Sequence, residues 1–313
     1  MNHTQGIFYF FVLSLDGEMS QKSVLKLKTG KFNFKDTIFS HGWVFLEPYY
    51  WDNKSGSLGL ILKLKNSKLS QIRISFKNKV LIIKIEVARG SIDADDRDKI
   101  KKTVRHIFRL DEDLNRFYAI CNKDSELKFV CKNQCGRLLR SPSIYEDMVK
   151  TICTTNCSWS NTVSMVSNLC KLEAGCFPAP ETIVKTGAKK LKEFYRVGYR
   201  AESIYELAKA VFEKEFDPDS LLKEKNIEET RKRLMVFNGI GKYSASHILM
   251  LAGHYSDIPI DSEVTGYIEE TYFSGLKVSE KEIFDLFEKY GEWKYLVFKY
   301  KRIGRKRGSE NRI

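Results

Sequence analysis

Residues 237–264, FNGIGKYSASHILMLAGHYSDIPIDSEV, constrain this chain more than any other stretch. The preceding RKRLMVF reads as the end of a helix. Gly239-Ile240-Gly241 then sets two residues that tolerate positive φ around one apolar plug, the makeup of a tight turn. From Tyr243 to Leu251 the pattern is helical again, so the N–H groups of its first turn lack backbone partners. Such groups beside glycines form a concavity suited to one phosphate. Twenty residues beyond Gly241, Asp261 follows the extended Ile258-Pro259-Ile260 and opens a further helix, SEVTGYIEETYF. A lone GIG is equally an ordinary helix–helix turn. The hairpin, the helix and the Asp at this spacing together make the informative pattern.

Before this segment the chain changes character once. Residues 1–90 read as β: Leu58–Lys65, Gln71–Phe76 and Val80–Val87 alternate apolar and polar residues or are rich in β-branched ones. Near Ser91 a helical pattern takes over, with the acidic first turn and spaced apolar positions of IDADDRDKIKKTVRHIFRL. Helices are expected over Tyr145–Cys153, Trp159–Ala174, Ala188–Tyr195, Ala201–Phe216, Ile227–Phe237 and Glu280–Tyr290. Proline-marked breaks fall at Ser141-Pro142-Ser143, Phe177-Pro178-Ala179-Pro180 and Asp217-Pro218-Asp219. Residues 301–313 form a basic tail, KRIGRKRGSENRI, expected to be solvated and disordered or to add phosphate contacts. The layout is therefore α+β: an antiparallel β domain (1–90), a two-part all-α domain with a cleft between its parts (91–300), and the tail.

With 42% hydrophobic residues the 313-residue chain can bury real cores, and a net charge of +13 favours a polyanionic partner. Gly6–Leu15 is too short for a membrane span and lacks a basic flank and a cleavage site. It is expected to be a buried strand in a protein that acts inside the cell, without a membrane partner. Seven cysteines with no secretory signal fit reduced thiols. Cys131/Cys135 and Cys153/Cys157 are each four apart, not at the C-x₂-C spacing usual for zinc, so packing is the default and no side-chain metal site is expected.

The hairpin with its downstream Asp resembles the helix-hairpin-helix DNA glycosylase superfamily of base-excision repair, whose members share a Leu-Pro-Gly-Val-Gly hairpin and a Val-Asp. Asn238 stands where that pattern has Pro. FRLDEDLNRFYAIC (108–121), GRLLRSPSIYEDMVKTICTTNCSWSNTVSMVSNLC (136–170) and VGYRAESIYELA (197–208) are similar to the 8-oxoguanine and alkyladenine branches. Within residues 1–90 only FSHGWVFLEPYYW (39–51) matches, and weakly. The resemblance implies a monomer that flips a damaged or mismatched base out of double-stranded DNA and breaks its N-glycosidic bond. It implies K+ or Na+ bridging the hairpin carbonyls near Gly239 and Gly241 to a phosphate. The iron–sulfur cluster of some relatives has no ligands here, since no cysteine follows Cys176.

Carried onto this chain, the resemblance assigns roles. Gly239, Ile240, Gly241 and Lys242 grip the DNA backbone. Asp261 is the catalytic carboxylate, and its residue type equally suits an N-cap. Tyr243 occupies the position where bifunctional relatives have the lysine that forms a Schiff base. A phenol forms no imine, so a monofunctional enzyme is expected. Lys242, about 100° round the helix, should face the phosphate; the alternatives are lyase action through Lys242, or an inert DNA-binding module. Asn156 is the candidate for filling the vacated gap, or an N-cap. Tyr199 and Arg200 are the candidate wedge, or a helix-capping loop. Trp159 reads as core, as do most of Trp43, Phe45, Tyr49, Tyr50 and Trp51.

Overall fold

A computed structural model describes residues 21–87 and 90–310, with side chains described up to residue 305. Gly6–Leu15 and residues 311–313 lie outside the described residues.

Five strands form one antiparallel sheet: β1 (Gln21–Lys28), β2 (Tyr49–Asp52), β3 (Ser57–Lys63), β4 (Leu69–Lys77) and β5 (Val80–Val87), in the order β1-β5-β4-β3-β2. The pleat explains β5, where Leu81, Ile83, Ile85 and Val87 are buried and Lys84 is exposed. β1 lies at the sheet's edge and buries only Leu25, while Lys22, Lys26 and Lys28 point to solvent, a composition that discourages further strand pairing. The first ninety residues are not wholly β. Between β1 and β2 the chain makes α1 (Phe34–Ile38), started by the Asn33 side chain, and a 3-10 turn at Gly42–Phe45.

The helical region begins with α2 (Ala94–Ile107), whose Asp93 and Asp96 form a reciprocal capping box. There follow α3 (Asn115–Lys123), α4 (Lys128–Lys132), α5 (Ile144–Thr154), α6 (Trp159–Cys170), α7 (Pro180–Thr186), α8 (Ala188–Glu193) and α9 (Arg200–Phe212). The last five are α10 (Ile227–Leu234), α11 (Lys242–Ala252), α12 (Ser262–Tyr272), α13 (Glu280–Phe287) and α14 (Lys294–Glu310). Several helices stop earlier than their apolar spacing suggests. α6 ends at Cys170 ahead of a turn in which Ala174 takes φ +50°, and α9 ends before Lys214 at φ +62°. Left-handed residues end a helix whatever the hydrophobic pattern beyond them.

Two helices organise the interior. α5 buries Ile144 through Cys153, with charged Glu146, Asp147 and Lys150 among them, and α11 buries Ser244 through Ala252, so both are enclosed on all sides. They pack on each other, and one apolar cluster runs from Leu25 in the sheet through both to Tyr300 in α14. The change at residue 90 is thus a change of secondary structure within one continuous core.

The expected disordered tail is corrected. Its first residues continue α14: Lys301 pairs with Asp124 at 2.7 Å and with Glu126, and Arg302 pairs with Glu263. Arg302 and Arg305 also lie over the rings of Tyr267 and Tyr272, at 5.2 and 4.5 Å. These cations are spent within the protein.

Candidate active site

The hairpin joins α10 to α11 and packs against α9. Gly239 takes φ +80°, and a Cβ there would lie 2.9 Å from Ser203 Oγ, so glycine is required twice over. Gly241 is different from expectation: its φ is −88°, and a Cβ would meet nothing within 4 Å. Only one of the two glycines needs positive φ; the other keeps open the approach to the helix. Ile240 plugs the turn at 3% exposure, and Asn238 Nδ2 donates to Glu206 of α9 at 2.8 Å. Gly241 is the N-cap of α11 and no side chain caps it, so the first-turn amides face outward. Among the described residues nothing donates to the carbonyls of Asn238, Gly239 and Ile240.

Asp261 is exposed, at the start of α12. Its Oδ1 accepts from Val264 N at 2.7 Å, while nothing among the described residues donates to Oδ2. The capping and catalytic readings are compatible: one oxygen fixes the side chain and the other stays free. Buried Asp257 holds the approach to it. Arg231 of α10 (2.8 Å) and Ser246 of α11 both donate to Asp257 Oδ2, and Oδ1 accepts from Ile258 N at 3.0 Å. One carboxylate therefore ties both arms of the hairpin to the extended segment that ends at Asp261. No short motif marks Asp257 in the sequence.

Tyr243 lies within the field of Asp261. Burial pushes its phenol up to about 12, and the fields of Asp261 and Glu263 push the same way. Tyr295, at the start of α14, lies within the fields of both Tyr243 and Asp261; burial chiefly raises its pKa. Lys242 turns the other way, exposed, its Nζ 3.7 Å from Glu280 of α13. It lies on the outer face of the hairpin and away from Tyr243.

One turn further along α11, His247 stacks on Tyr243 at 5.8 Å with 15° between ring planes. Its other neighbours come from the 3-10 turn before β2 and the residue preceding it: Trp43 at 5.1 Å and His41 at 6.3 Å. Trp43 is buried at 2% exposure but belongs to the turn rather than the sheet, and its Nε1 donates to Asp147 Oδ1 of α5 at 2.7 Å. Phe45, by contrast, is 59% exposed. Sequence reasoning missed both histidines. The four-residue spacing of Tyr243 and His247 was the available signal, since it puts both on one helix face.

The turn from α5 to α6 carries Asn156, exposed at φ +47°. It is not the N-cap of α6; Ser158 is, accepting from Asn161 N at 3.3 Å. Trp159 is corrected from core to surface. It is 44% exposed, its ring lying on Gly42, where a Cβ would come within 2.4 Å of it. Tyr199 is 63% exposed, as a wedge requires. Arg200 is not available as one. At 6% exposure it donates to the carbonyl of Thr155, reaches Met165 Sδ at 3.8 Å and lies over the Tyr199 ring at 4.4 Å. It braces the Asn156 turn from within, because a buried guanidinium must satisfy its donors internally.

All seven cysteines are unbridged, and among the described residues no cluster of His, Cys, Asp or Glu could hold a metal ion. Among the same residues no helix is long and apolar enough to cross a membrane.

No protein-family model matches the chain. It is 23% identical to an N-glycosylase/DNA lyase of Saccharomyces cerevisiae, over 83% of this chain and 81% of the yeast protein. It is 22% identical to a DNA-3-methyladenine glycosylase of Bacillus subtilis, over 75% of this chain and 82% of that protein. In fold it is similar to the Clostridium acetobutylicum 8-oxoguanine glycosylase/lyase solved with double-stranded DNA: TM-score 0.68, 19% identity, covering 95% of this chain and 99% of that one. The uncapped hairpin, with the tethered Asp261 twenty residues beyond it, thus lies in a chain that is similar in sequence and in fold to DNA glycosylases.

Proposed function

We propose that this protein is a monofunctional DNA glycosylase of base-excision repair, acting on double-stranded DNA that carries a damaged or mismatched base. The observation that carries the reading is Asp261, fixed through one oxygen, free at the other, and beside a tyrosine where an amine would be needed for lyase chemistry.

A base in a duplex must leave the stack before its glycosidic bond can be reached. The hairpin amides at the uncapped start of α11 grip a phosphate. The unbonded carbonyls of Asn238, Gly239 and Ile240 fit a monovalent cation, which would supply positive charge to the same phosphate. Asn156, exposed on a turn braced by Arg200, fills the gap and offers its amide to the orphaned base. Tyr199 inserts beside it.

Asp261 then stabilises the sugar. As the C1′–N bond lengthens, positive charge develops on the deoxyribose, and the carboxylate at about 4 Å in an effective dielectric near 20 contributes about 4 kcal/mol. That corresponds to roughly a thousandfold in rate. The same oxygen orients or deprotonates the attacking water, leaving an abasic site.

The test is a panel of duplexes, each with one lesion, scored for base release with and without hot alkali. Base release with strand breaks only after alkali is the expected result. A covalent adduct trapped by borohydride, and lost in Lys242→Ala, would instead establish lyase action. If wild-type protein releases no base while binding the duplexes, the protein is a DNA-binding module.

A further inference from the structure

The face of α11 that begins beside Asp261 ends at His247, and the hydrogen bonding there determines which protons the site presents. Tyr243 and His247 are four residues apart, about 6 Å along the helix axis, which is of the order of a purine's length. A base whose glycosidic bond lies by Asp261 therefore brings its far edge to His247.

Thr151 of α5 decides the tautomer of that ring. Its Oγ1 donates to the Asp147 carbonyl at 2.7 Å and lies 3.2 Å from His247 Nδ1. A hydroxyl has one proton. With that proton committed to the carbonyl, Oγ1 can only accept from the histidine, so Nδ1 carries the hydrogen. Burial lowers the ring's pKa to about 4, so it is neutral near pH 7. Nε2 is then a bare acceptor, and among the described residues nothing donates to it.

We propose that His247 Nε2 is the specificity contact of this site, accepting an N–H from the far edge of the flipped base. The substrate class is then the neutral lactam purines, such as hypoxanthine and 8-oxoguanine, whose N1–H points along the base's long axis. Bases with that edge blocked, such as 1,N6-ethenoadenine, leave Nε2 desolvated and unpaired. Cationic alkylpurines are disfavoured because the surroundings oppose positive charge: burial chiefly, then the fields of His247, Lys299 and Arg109, hold neighbouring His41 well below its ordinary pKa. The rings of His41, Trp43 and His247 lie 5.0–6.3 Å apart, so the base enters by displacing His41, which is half-buried with an enclosed, unpartnered Nε2 while the other two are buried. Thr151 is a positioning residue, acting through the histidine.

This rests on the glycosylase reading, and two arms of one experiment separate the two. The first is single-turnover base release from duplexes containing hypoxanthine, 8-oxoguanine, 7-methylguanine or 1,N6-ethenoadenine. The second is equilibrium binding to duplexes with uncleavable 2′-fluoro-deoxyinosine or 2′-fluoro-ethenoadenosine. Wild-type protein should release hypoxanthine and 8-oxoguanine in preference to the cationic 7-methylguanine and the etheno base, and should bind the inosine analogue more tightly than the etheno analogue. His247→Phe keeps a ring without the acceptor and should reduce release and binding of these bases about 10- to 100-fold, with little change for the etheno base. Thr151→Val should lose part of the preference and Thr151→Ser should restore it. Preference for 7-methylguanine or the etheno base, or a folded His247→Phe with unchanged preference, overturns the proposal. If no duplex releases a base, the glycosylase reading fails, and the binding arm alone upholds or overturns the histidine contact.

Discussion

Arg231 and Asp257 meet at 2.8 Å, and through that pair the hairpin's first helix is coupled to the segment that delivers Asp261. Asp257 is 5% exposed and also accepts from Ser246, so its removal leaves donors on two helices without a partner. Asp257→Ala should cost about 3 kcal/mol, the low end for a broken buried pair because Arg231 keeps some solvent. Denaturant unfolding reads that cost. Base release should fall further than DNA affinity, since the hairpin amides remain while Asp261 loses its support.

The two hairpin glycines should separate stability from binding. Gly239→Ala forces a side chain into the left-handed region and against Ser203, so thermal unfolding should show a loss of about 1–2 kcal/mol or more. Gly241→Ala has ordinary φ and open space, so its Tm should hold while its Kd for duplex DNA rises. A Gly241→Ala protein that binds normally would mean that no phosphate comes close at that point.

Asp261 carries two roles that substitution can split. Asn caps a helix as well as Asp does, so Asp261→Asn should keep its stability and lose base release by about a thousandfold. Asp261→Ala should lose activity to a similar extent and about 1 kcal/mol of stability as well. Parallel unfolding and single-turnover measurements on both variants decide this.

Acid should destabilise the fold through its buried histidines. Burial pulls His247 down to about 4, and burial with Arg140 and Arg109 pulls His106 down to about 3. In the unfolded chain both titrate near 6.5. Between those values the unfolded state binds more protons, so the contribution is complete above about pH 6.5 and is lost as pH falls toward 4. For His247 alone it is about 3 kcal/mol. Unfolding free energies from pH 7 to 4 should fall less steeply in His247→Gln than in wild type.

Tyr199 and Arg200 should behave oppositely despite being adjacent. Tyr199→Ala, at an exposed ring, should weaken base release and leave unfolding unchanged. Arg200→Ala should lower stability by about 1–3 kcal/mol, because the Thr155 carbonyl loses its donor, while the salt dependence of DNA binding stays the same.

The sequence by itself determined what depends on near neighbours along the chain. A turn needing Gly239 at positive φ, a helix with nothing to cap it and an Asp that both ends an extended run and starts a helix are set by residues a few positions apart, and each was legible. Alternation in β3, β4 and β5 was legible for the same reason. Only the tertiary structure decided where side chains point and whom they meet. Arg200 turns inward and Trp159 outward although their local patterns argue the reverse, and the basic residues after Tyr300 find acidic partners at Asp124 and Glu263, far away in sequence. The surroundings of the His247 ring depend on Thr151 and His247, 96 residues apart, and on Trp43 and Asp147, 104 apart. Contacts at such separations exist only once the core has closed, because until then no local energy distinguishes one partner from another.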